Sequence, residues 1–165
     1  MASTRNLRHG TLIIRDGTGT PNTLTIPIMD GDLSFNVKRP QFIVKNRGQI
    51  DHRRSGDQEA MDVRFSFKFE QWSYSSGAAT GISVVDALSK TGGAASWLSV
   101  DPNCGPFAVD LLFRIADPCN ANSYEQLIFP NFSAEDIGFK EGDAANMIDI
   151  SGKSLAVTPT RSFSV

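Results

Sequence analysis

The side chains best suited to catalysis are scarce in this sequence of 165 residues. Its two histidines, His9 and His52, have no serine or cysteine beside them in a recognisable nucleophile motif. Carboxylates are numerous, but nothing in the sequence points to a particular acid and base pair for glycoside hydrolysis. We therefore expect both histidines on the solvated surface and expect the protein not to be an enzyme.

The two cysteines, Cys104 and Cys119, are predicted to be free thiols. The segment between them contains "FAVDLLFRIA", which predicts one strand over residues 107–116. Because a strand rises ~3.3 Å per residue, its two flanks lie roughly 30 Å apart, beyond the reach of a disulfide. Free thiols are typical of a reducing compartment.

Metal and phosphate ligands are not found at the spacings that such sites require. The cysteines and histidines include no pair at zinc-ligand spacing. Acidic turns such as "DGD" (30–32) lack the alternating oxygen ligands of a calcium loop. "DGTGTP" (16–21) lacks the lysine and the third glycine of the phosphate-binding fingerprints, so a turn is expected there. The sequence predicts no metal and no cofactor.

Charge is distributed unevenly along the chain. The formal net charge is -2, which argues against a protein that wraps nucleic acid through phosphate contacts. Residues 38–54 nevertheless carry a local charge of +5, and residues 101–149 carry −7. Such asymmetry is usual for solvated surfaces of different sign. It is also what a subunit needs if one of its faces meets the opposite face of a second copy.

The chain is predicted to be one soluble domain. No apolar run approaches the ~18 residues of a membrane span, so no membrane contact is expected. The opening segment "MASTRNLRHG" has no hydrophobic centre and does not resemble a signal peptide. We expect residues 1–9 to form a polar arm and residues 10–165 to form a single domain of ordinary size.

Alternation of apolar and polar residues predicts a mostly β protein. It is strictest at the end of "MDVRFSFKFE", where Val63, Phe65, Phe67 and Phe69 share one face and Arg64, Ser66, Lys68 and Glu70 share the other. Other strands are predicted at 11–15, 23–29, 33–39, 42–45, 107–116, 124–129, 146–151 and 154–160. Strands 23–29 and 33–39 are expected to pair as an antiparallel hairpin, and 132–145 to be a loop that holds at most a short helical turn.

One short helix is signalled by "ISVVDALSKTGG". Ser83 is a natural N-cap with Asp86 three residues on, and Gly92 supplies a stop after about nine residues. The predicted fold is an antiparallel β-sandwich or small barrel with one short flanking helix. Between strands 42–45 and 63–69 lies a long polar loop, residues 46–60, far longer than a hairpin turn requires.

The order of several short motifs resembles the major tail proteins, or tail tube proteins, of long-tailed bacteriophages. The resemblance runs through "HGTLIIRDGTGTPNTLTI", "GDLSF", "KNRGQIDHRRSGDQEAMDVRFSFKF", "SVVDALSKTGGAASW" and "GFKEGDAANMIDISG". It covers most of the chain from Gly10 to about Gly152. Each motif is short, so their order and spacing carry the resemblance.

The resemblance implies subunits that form hexameric rings and stack into a hollow tube. The inner sheets of six subunits would join into one barrel through which the double-stranded DNA genome passes. The protein would be a virion component of the tail, assembled in the host cytoplasm. Its partners would be further copies of itself and the tape measure, terminator and baseplate or tip proteins. Inner tubes of contractile tails and of the type VI secretion system share this architecture.

In this architecture a long loop lies against the adjacent ring, and residues 46–60 fit that role. The residues expected in this stacking loop are Arg47, Gly48, Asp51, His52, Arg53, Arg54, Gly56, Asp57 and Glu59. The arginines are expected to meet acids of the neighbouring ring, and the two glycines are expected to let the loop bend. The residues expected to line the lumen or an intersubunit contact are Arg64, Ser66, Lys68, Glu70 and Asp110. Of these, Glu70 and Asp110 are candidates for neutralising the positive charges of Arg64 and Lys68.

Two functions from another class also fit a small β domain. A carbohydrate-binding module would need an exposed aromatic cluster around Trp72, Tyr74 and Trp97. A nucleic-acid-binding barrel would need basic and aromatic residues on one sheet face. Both remain alternatives to the tail tube at this point.

Overall fold

The computed structural model describes residues 10–27, 33–68, 74–76, 79–117, 120–141 and 146–164. In these ranges the strands are β1 (Gly10–Arg15), β2 (Thr23–Pro27), β3 (Leu33–Asn36), β4 (Gln41–Asn46), β5 (Gln49–Ser55), β6 (Met61–Lys68), β7 (Tyr74–Ser76), β8 (Ala79–Ile82), β9 (Val109–Asp117), β10 (Asn120–Lys140), β11 (Met147–Ser154) and β12 (Thr160–Ser164). The helices are α1 (Val84–Ser89) and a 3-10 helix (Gly92–Ala94).

Most strands belong to one antiparallel sheet. Its order is β2-β1-β9-β10-β11-β6-β3, and β12 pairs with β10 off this path. Strand β10, with 21 residues, is central because residues 124–128 lie between β9 and β12 and residues 132–140 pair with β11. β4 with β5 and β7 with β8 form two separate two-stranded sheets. The predicted class, an antiparallel β-sandwich or barrel with one short helix, is confirmed.

One face of the large sheet forms the core because successive side chains of a strand point to opposite sides. On β6 the alternation predicted from sequence is confirmed for Val63, Phe65 and Phe67, which are all buried. The core cluster also takes apolar residues from β1, β2, β9, β10, β11 and α1. Phe69 lies outside the described residues.

The sheet curls so that its edge strand reaches over the middle of the core face. The rings of Phe35 on β3 and Phe129 on β10 lie 5.3 Å apart between centroids, although β11 and β6 separate the two strands in the sheet. Phe65 and Phe132 form a second pair at 6.0 Å. These contacts make the sheet barrel-like, with Phe65, Phe129 and Phe132 buried inside it and Phe35 partly exposed at its edge.

Helix α1 begins with the predicted capping box. The backbone N–H of Asp86 donates to the Ser83 hydroxyl at 3.0 Å, and the Ser83 N–H donates to the Asp86 carboxylate at 3.2 Å. The helix is shorter than predicted because Lys90, with φ 56°, ends it in the left-handed region after six helical residues. Gly92 opens the 3-10 helix that follows.

The turn after β1 is organised by the carboxylate of Asp16, which is only 2% exposed. This carboxylate accepts hydrogen bonds from Thr18 and Asn22, through both backbone and side chain, and from the backbone N–H of Leu98. Burial raises the pKa of Asp16, but these hydrogen bonds to the charged form outweigh it and leave the pKa below its ordinary value. The predicted turn at 16–21 is thereby tied to the loop that precedes β9.

The predicted hairpin of 23–29 with 33–39 is wrong. β2 pairs with β1, and β3 pairs with β6, so the two strands lie at opposite ends of the sheet. The alternation in each segment marks a face to be buried, but it does not specify which strand lies alongside.

Two further boundaries differ from the prediction. The predicted loop 132–145 is wrong over 132–140, because β10 continues through this segment and absorbs an irregularity between Ala134 and Asp136. The predicted strand 154–160 is also wrong: β11 ends at Ser154, the chain bends, and β12 begins at Thr160. Over 132–140 the strand signal is weak because many residues are polar, whereas the apolar residues of 154–160 suggested a strand that the bend at 155–158 interrupts.

Cys104 is a free and exposed thiol, as predicted, and the strand predicted after it is β9. Cys119 lies outside the described residues. None of the helices in the described ranges is long and apolar enough to cross a membrane.

Candidate assembly interface

The segment predicted to be a polar loop is largely a β-hairpin. Strands β4 and β5 pair from Gln41 opposite Ser55 to Asn46 opposite Gln49. Only Arg47 and Gly48 turn the chain, with φ of 51° and 84°. Positive φ at both central residues is the signature of the tight turn that matches strand twist. The prediction of a loop over 46–60 is therefore wrong for Asn46 and for residues 49–55, although residues 56–60 are irregular.

Solvent surrounds both faces of hairpin β4–β5. Every residue of β5 is exposed, and only Val44 of β4 is partly covered. Three large apolar side chains are among the exposed ones: Phe42 at 61%, Ile43 at 52% and Ile50 at 63%. A lone two-stranded hairpin is only marginally stable in water. This hairpin thus presents an apolar surface that a partner can cover.

The two adjacent arginines of the hairpin lie on opposite faces. Arg54 stands opposite Phe42 on one face, and Arg53 stands opposite Ile43 on the other. His52 lies near Asp51, with Nδ1 3.0 Å from the carboxylate. Each face therefore combines a guanidinium with an apolar side chain, a composition favoured at protein interfaces.

The two strands of the hairpin are joined at its root by one more backbone hydrogen bond. The N–H of Gly56 donates to the Pro40 carbonyl at 2.8 Å. A Cβ at Gly56 would meet Pro40 atoms at 3.0 Å, so glycine here permits a close approach. The expectation that Gly56 lets a loop bend is replaced by this packing role, whereas Gly48 does lie in the turn with a positive φ.

An ion-pair cluster lies beside this root. Lys38 Nζ is 2.9 Å from the Asp62 carboxylate and 3.6 Å from that of Glu59. The hydrogen bond with Asp62 raises the pKa of Lys38, and the same hydrogen bond lowers the pKa of Asp62. Glu59, predicted in the stacking loop, thus lies beside the base of the hairpin, and Asp57 is exposed nearby.

A second surface is the polar sheet face, which we define as the outward side of β3, β6, β11 and residues 132–140 of β10. Arg64 and Ser66 lie here as predicted, and Lys68 lies on the same side of β6. A cavity of ≈ 600 Å³ opens on this face. It is lined by Ser34, Arg64, Phe65, Ser66, Asp136, Gly138, Asp149, Ile150 and Ser151.

Asp110, one of the two acids expected to neutralise these cations, lies elsewhere in the sheet. Asp110 lies on β9 and accepts from Arg15 on β1 at 2.7 Å, so its prediction as a partner of Arg64 and Lys68 is wrong. Glu70 lies outside the described residues. The acids that do share the cavity with Arg64 are Asp136 and Asp149.

Sequence reasoning missed Asp136 and Asp149 as members of this face. Asp136 stood in a segment predicted to be a loop. Asp149 alternates with Ile148 and Ile150 in "MIDIS", which was a signal that it faces outward. Only the strand register, which places β11 between β6 and β10, brings the two acids beside Arg64.

The surfaces required by the alternative functions are poorly supported by the described residues. Trp97 is 1% exposed and belongs to the core, so it cannot be part of a sugar platform. Trp72 lies outside the described residues. Arg114 does lie over the ring of Tyr124, at 4.4 Å, but its guanidinium is also engaged with the Gln126 side chain.

No protein-family model matches the sequence, and no curated protein matches it. Among solved structures, the fold is similar to a chain in "Cryo-EM structure of the anti-feeding prophage (AFP) baseplate, 6-fold symmetrised". The TM-score is 0.52 at 7% sequence identity, and the match covers 98% of this chain and 97% of that chain. At this identity the likeness establishes a similar fold over the whole chain.

Proposed function

We propose that the protein is a structural, non-enzymatic subunit of a bacteriophage tail tube. Six copies form a ring, and rings stack head to tail into a hollow tube that conducts double-stranded DNA. The observation that carries the proposal is hairpin β4–β5, which is basic, partly apolar and exposed on both faces. The sequence motifs and the fold similarity to a chain of a sixfold prophage baseplate structure support the same proposal.

Stacking between rings is assigned to the hairpin. Its root lies at the end of the sheet marked by Asp62 and Lys153, which are paired in the register of β6 with β11. At the opposite end, β10 finishes at Lys140 and is followed by the exposed Glu141. In a head-to-tail stack, a heterologous contact, the hairpin of one subunit meets the Glu141 end of the next.

Charge complementarity favours a second copy of this chain as the occupant. Several acids of the negative segment 101–149 are already paired within the subunit, including Asp110 with Arg15, Glu125 with Arg161 and Glu135 with Lys153. Glu141 makes no ion pair with any residue that the structure describes. Because Glu141 also lies at the end of the sheet opposite the hairpin root, it is the acid that we assign as an acceptor for the hairpin arginines.

Closure of the ring is assigned to two open sheet edges. β3 ends the sheet on one side. On the other side, β9 stops pairing with β10 at Phe132, so no described strand flanks residues 133–138 there. Adding β3 of one subunit to this stretch of β10 in the next would join the four-stranded polar face around a ring and remove both open edges.

The polar sheet face is assigned to the lumen. It would become the concave inner surface of the joined barrel, with the core and α1 outside it. The tape measure, terminator and baseplate or tip proteins are the further partners of such a tube, and the virion tail, assembled in the host cytoplasm, is its location.

Self-assembly is tested by analytical ultracentrifugation of the full chain over a wide range of concentration and salt. We expect a species of six times the monomer mass, with larger polymers at high concentration. Monomer alone over the whole range would contradict the proposal. Glycan-array binding by that monomer would instead favour the carbohydrate-binding alternative.

A further inference from the structure

Free charges of both signs share the polar sheet face. Arg64 and Lys68 lie on β6, Asp149 on β11 and Asp136 on β10. None of the four makes a hydrogen bond or ion pair with another residue in the described part of the chain. Other acids near this face are already engaged: Asp62 pairs with Lys38 and also interacts electrostatically with Arg64, and Glu135 pairs with Lys153.

The strand register brings these free charges close together. Arg64 stands opposite Ser151 on β11, and Ser151 stands opposite Asp136 on β10. Asp149 is two residues from Ser151, so it is a diagonal neighbour of Arg64, about 7–8 Å away between Cα atoms. Strands lie about 4.8 Å apart, which places the Asp136 backbone about 10 Å from that of Arg64. Both distances are comparable to the Debye length of about 8–10 Å at physiological salt, so the acids lower the potential at Arg64.

The described residues of this face are balanced in charge. The basic side chains are Arg64, Lys68, Lys140 and Lys153. The acidic side chains are Asp62, Glu135, Asp136 and Asp149. Lys38 and Glu59, which lie beside Asp62, add one charge of each sign and leave the balance unchanged. Without Asp136 and Asp149 the face would carry two uncompensated positive charges.

We propose that Asp136 and Asp149 are neutralising residues that keep the polar sheet face from retaining the phosphate backbone of duplex DNA. Lysine and arginine side chains bind DNA phosphates favourably because each contact releases counterions condensed on the DNA. Carboxylates beside Arg64 repel the same phosphates and cancel this attraction. The inference rests on the proposed function in assigning the face to the lumen, where such a surface lets DNA slide. This reduction of DNA binding is a property of the single subunit and does not require a ring.

The test is binding of a fluorescently labelled DNA duplex to the purified full chain, measured by anisotropy at 50 and 200 mM salt. D136N/D149N should bind the duplex about tenfold more tightly than the wild type at 50 mM salt. The dependence of log K on log salt should become steeper by about 2, because each neutralised phosphate contributes a slope of about −0.9.

The matched control restores the balance on the same face. D136N/D149N/R64Q/K68Q should bind DNA as the wild type does, since it removes two charges of each sign. A wild-type affinity for D136N/D149N would overturn the inference. Tight binding that persists in the quadruple variant would overturn it as well, because the gain would then belong to another surface such as the hairpin. Failure of the protein to form rings would count against the proposed function and would leave this binding result intact.

Discussion

Phe42 and Arg54 stand directly opposite each other across hairpin β4–β5, and both side chains are exposed to solvent. On the other face of the hairpin, Ile43 and Arg53 have the same relationship. The subunit leaves these apolar groups uncovered, at a distance from its own core. In the proposed tube, the hairpin is half of a contact that a second subunit completes.

The first prediction concerns the charge of the hairpin. R53E/R54E should block stacking of rings, because Glu141 would then face acids instead of guanidinium groups. Each exposed pair contributes at most about 1 kcal/mol, but six copies act at each ring junction. The melting temperature and the circular dichroism spectrum should be nearly unchanged, since neither arginine contacts the core. Sedimentation at low salt measures the loss of polymers.

Two controls distinguish charge from shape. R53K/R54K keeps both positive charges and should still form polymers. E141K alone should also block stacking, and E141K combined with R53E/R54E should restore part of it by exchanging the two signs. Normal polymers of R53E/R54E at low salt would show that the hairpin is not an electrostatic stacking element.

The second prediction concerns the apolar side chains of the hairpin. F42S/I50S should abolish polymers while changing the stability of the monomer by only about 0.5 kcal/mol, because both side chains are exposed before assembly. Covering each of them would stabilise a contact by roughly 1.5–3 kcal/mol. L155S is the matched control, because Leu155 is an exposed apolar residue outside the hairpin, and this variant should assemble normally. If F42S/I50S and L155S lost polymers equally, the hairpin surface would have no special role in assembly.

The third prediction concerns the two open sheet edges. Backbone amides on the outer edges of residues 33–36 and 133–138 should exchange readily with deuterium in the monomer. They should become protected in rings, where they would form a new strand pair. Hydrogen exchange with mass spectrometry compares the two states. If both edges exchange equally fast in assembled material, the assignment of β3 and β10 to ring closure is wrong.

The fourth prediction concerns Asp16. Its pKa is lowered in the folded state, so its ionised form contributes stability above the ordinary pKa, and this contribution is lost as pH falls through the folded pKa. D16A should lower the free energy of unfolding by roughly 1–3 kcal/mol at pH 7, because buried N–H donors lose their acceptor. The difference in the free energy of unfolding between wild type and D16A should become smaller below about pH 4. Urea unfolding at several pH values measures this difference in the free energy of unfolding. A difference that widens on acidification would contradict this role of Asp16.

Elements with a strong local signal could be predicted from the sequence. The burial of Val63, Phe65 and Phe67 follows from strict alternation, and the start of α1 follows from the capping pair Ser83 and Asp86. Both are signalled by patterns that extend over only a few residues of chain. The partner of each strand could not be predicted, because pairing such as β3 with β6 depends on contacts distant in sequence.

The hairpin was missed for a different physical reason. Residues 49–55 are exposed on both sides, so they have no buried face and leave no period-two pattern. The signal that was present is the pair Arg47 and Gly48 directly after a predicted strand, where glycine favours a tight turn. Reading residues 46–60 as a charged loop captured the exposure and charge of Arg53 and Arg54, but not their opposite orientations.

Negative-stain electron microscopy of the concentrated protein at low salt tests the central claim, self-assembly into sixfold stacked rings, most directly. End-on views should show rings of six subunits around an open centre, and side views should show such rings stacked into tubes. R53E/R54E should show the rings without the tubes. Fields that contain only single-subunit particles, under conditions where the wild type is folded, would contradict the account.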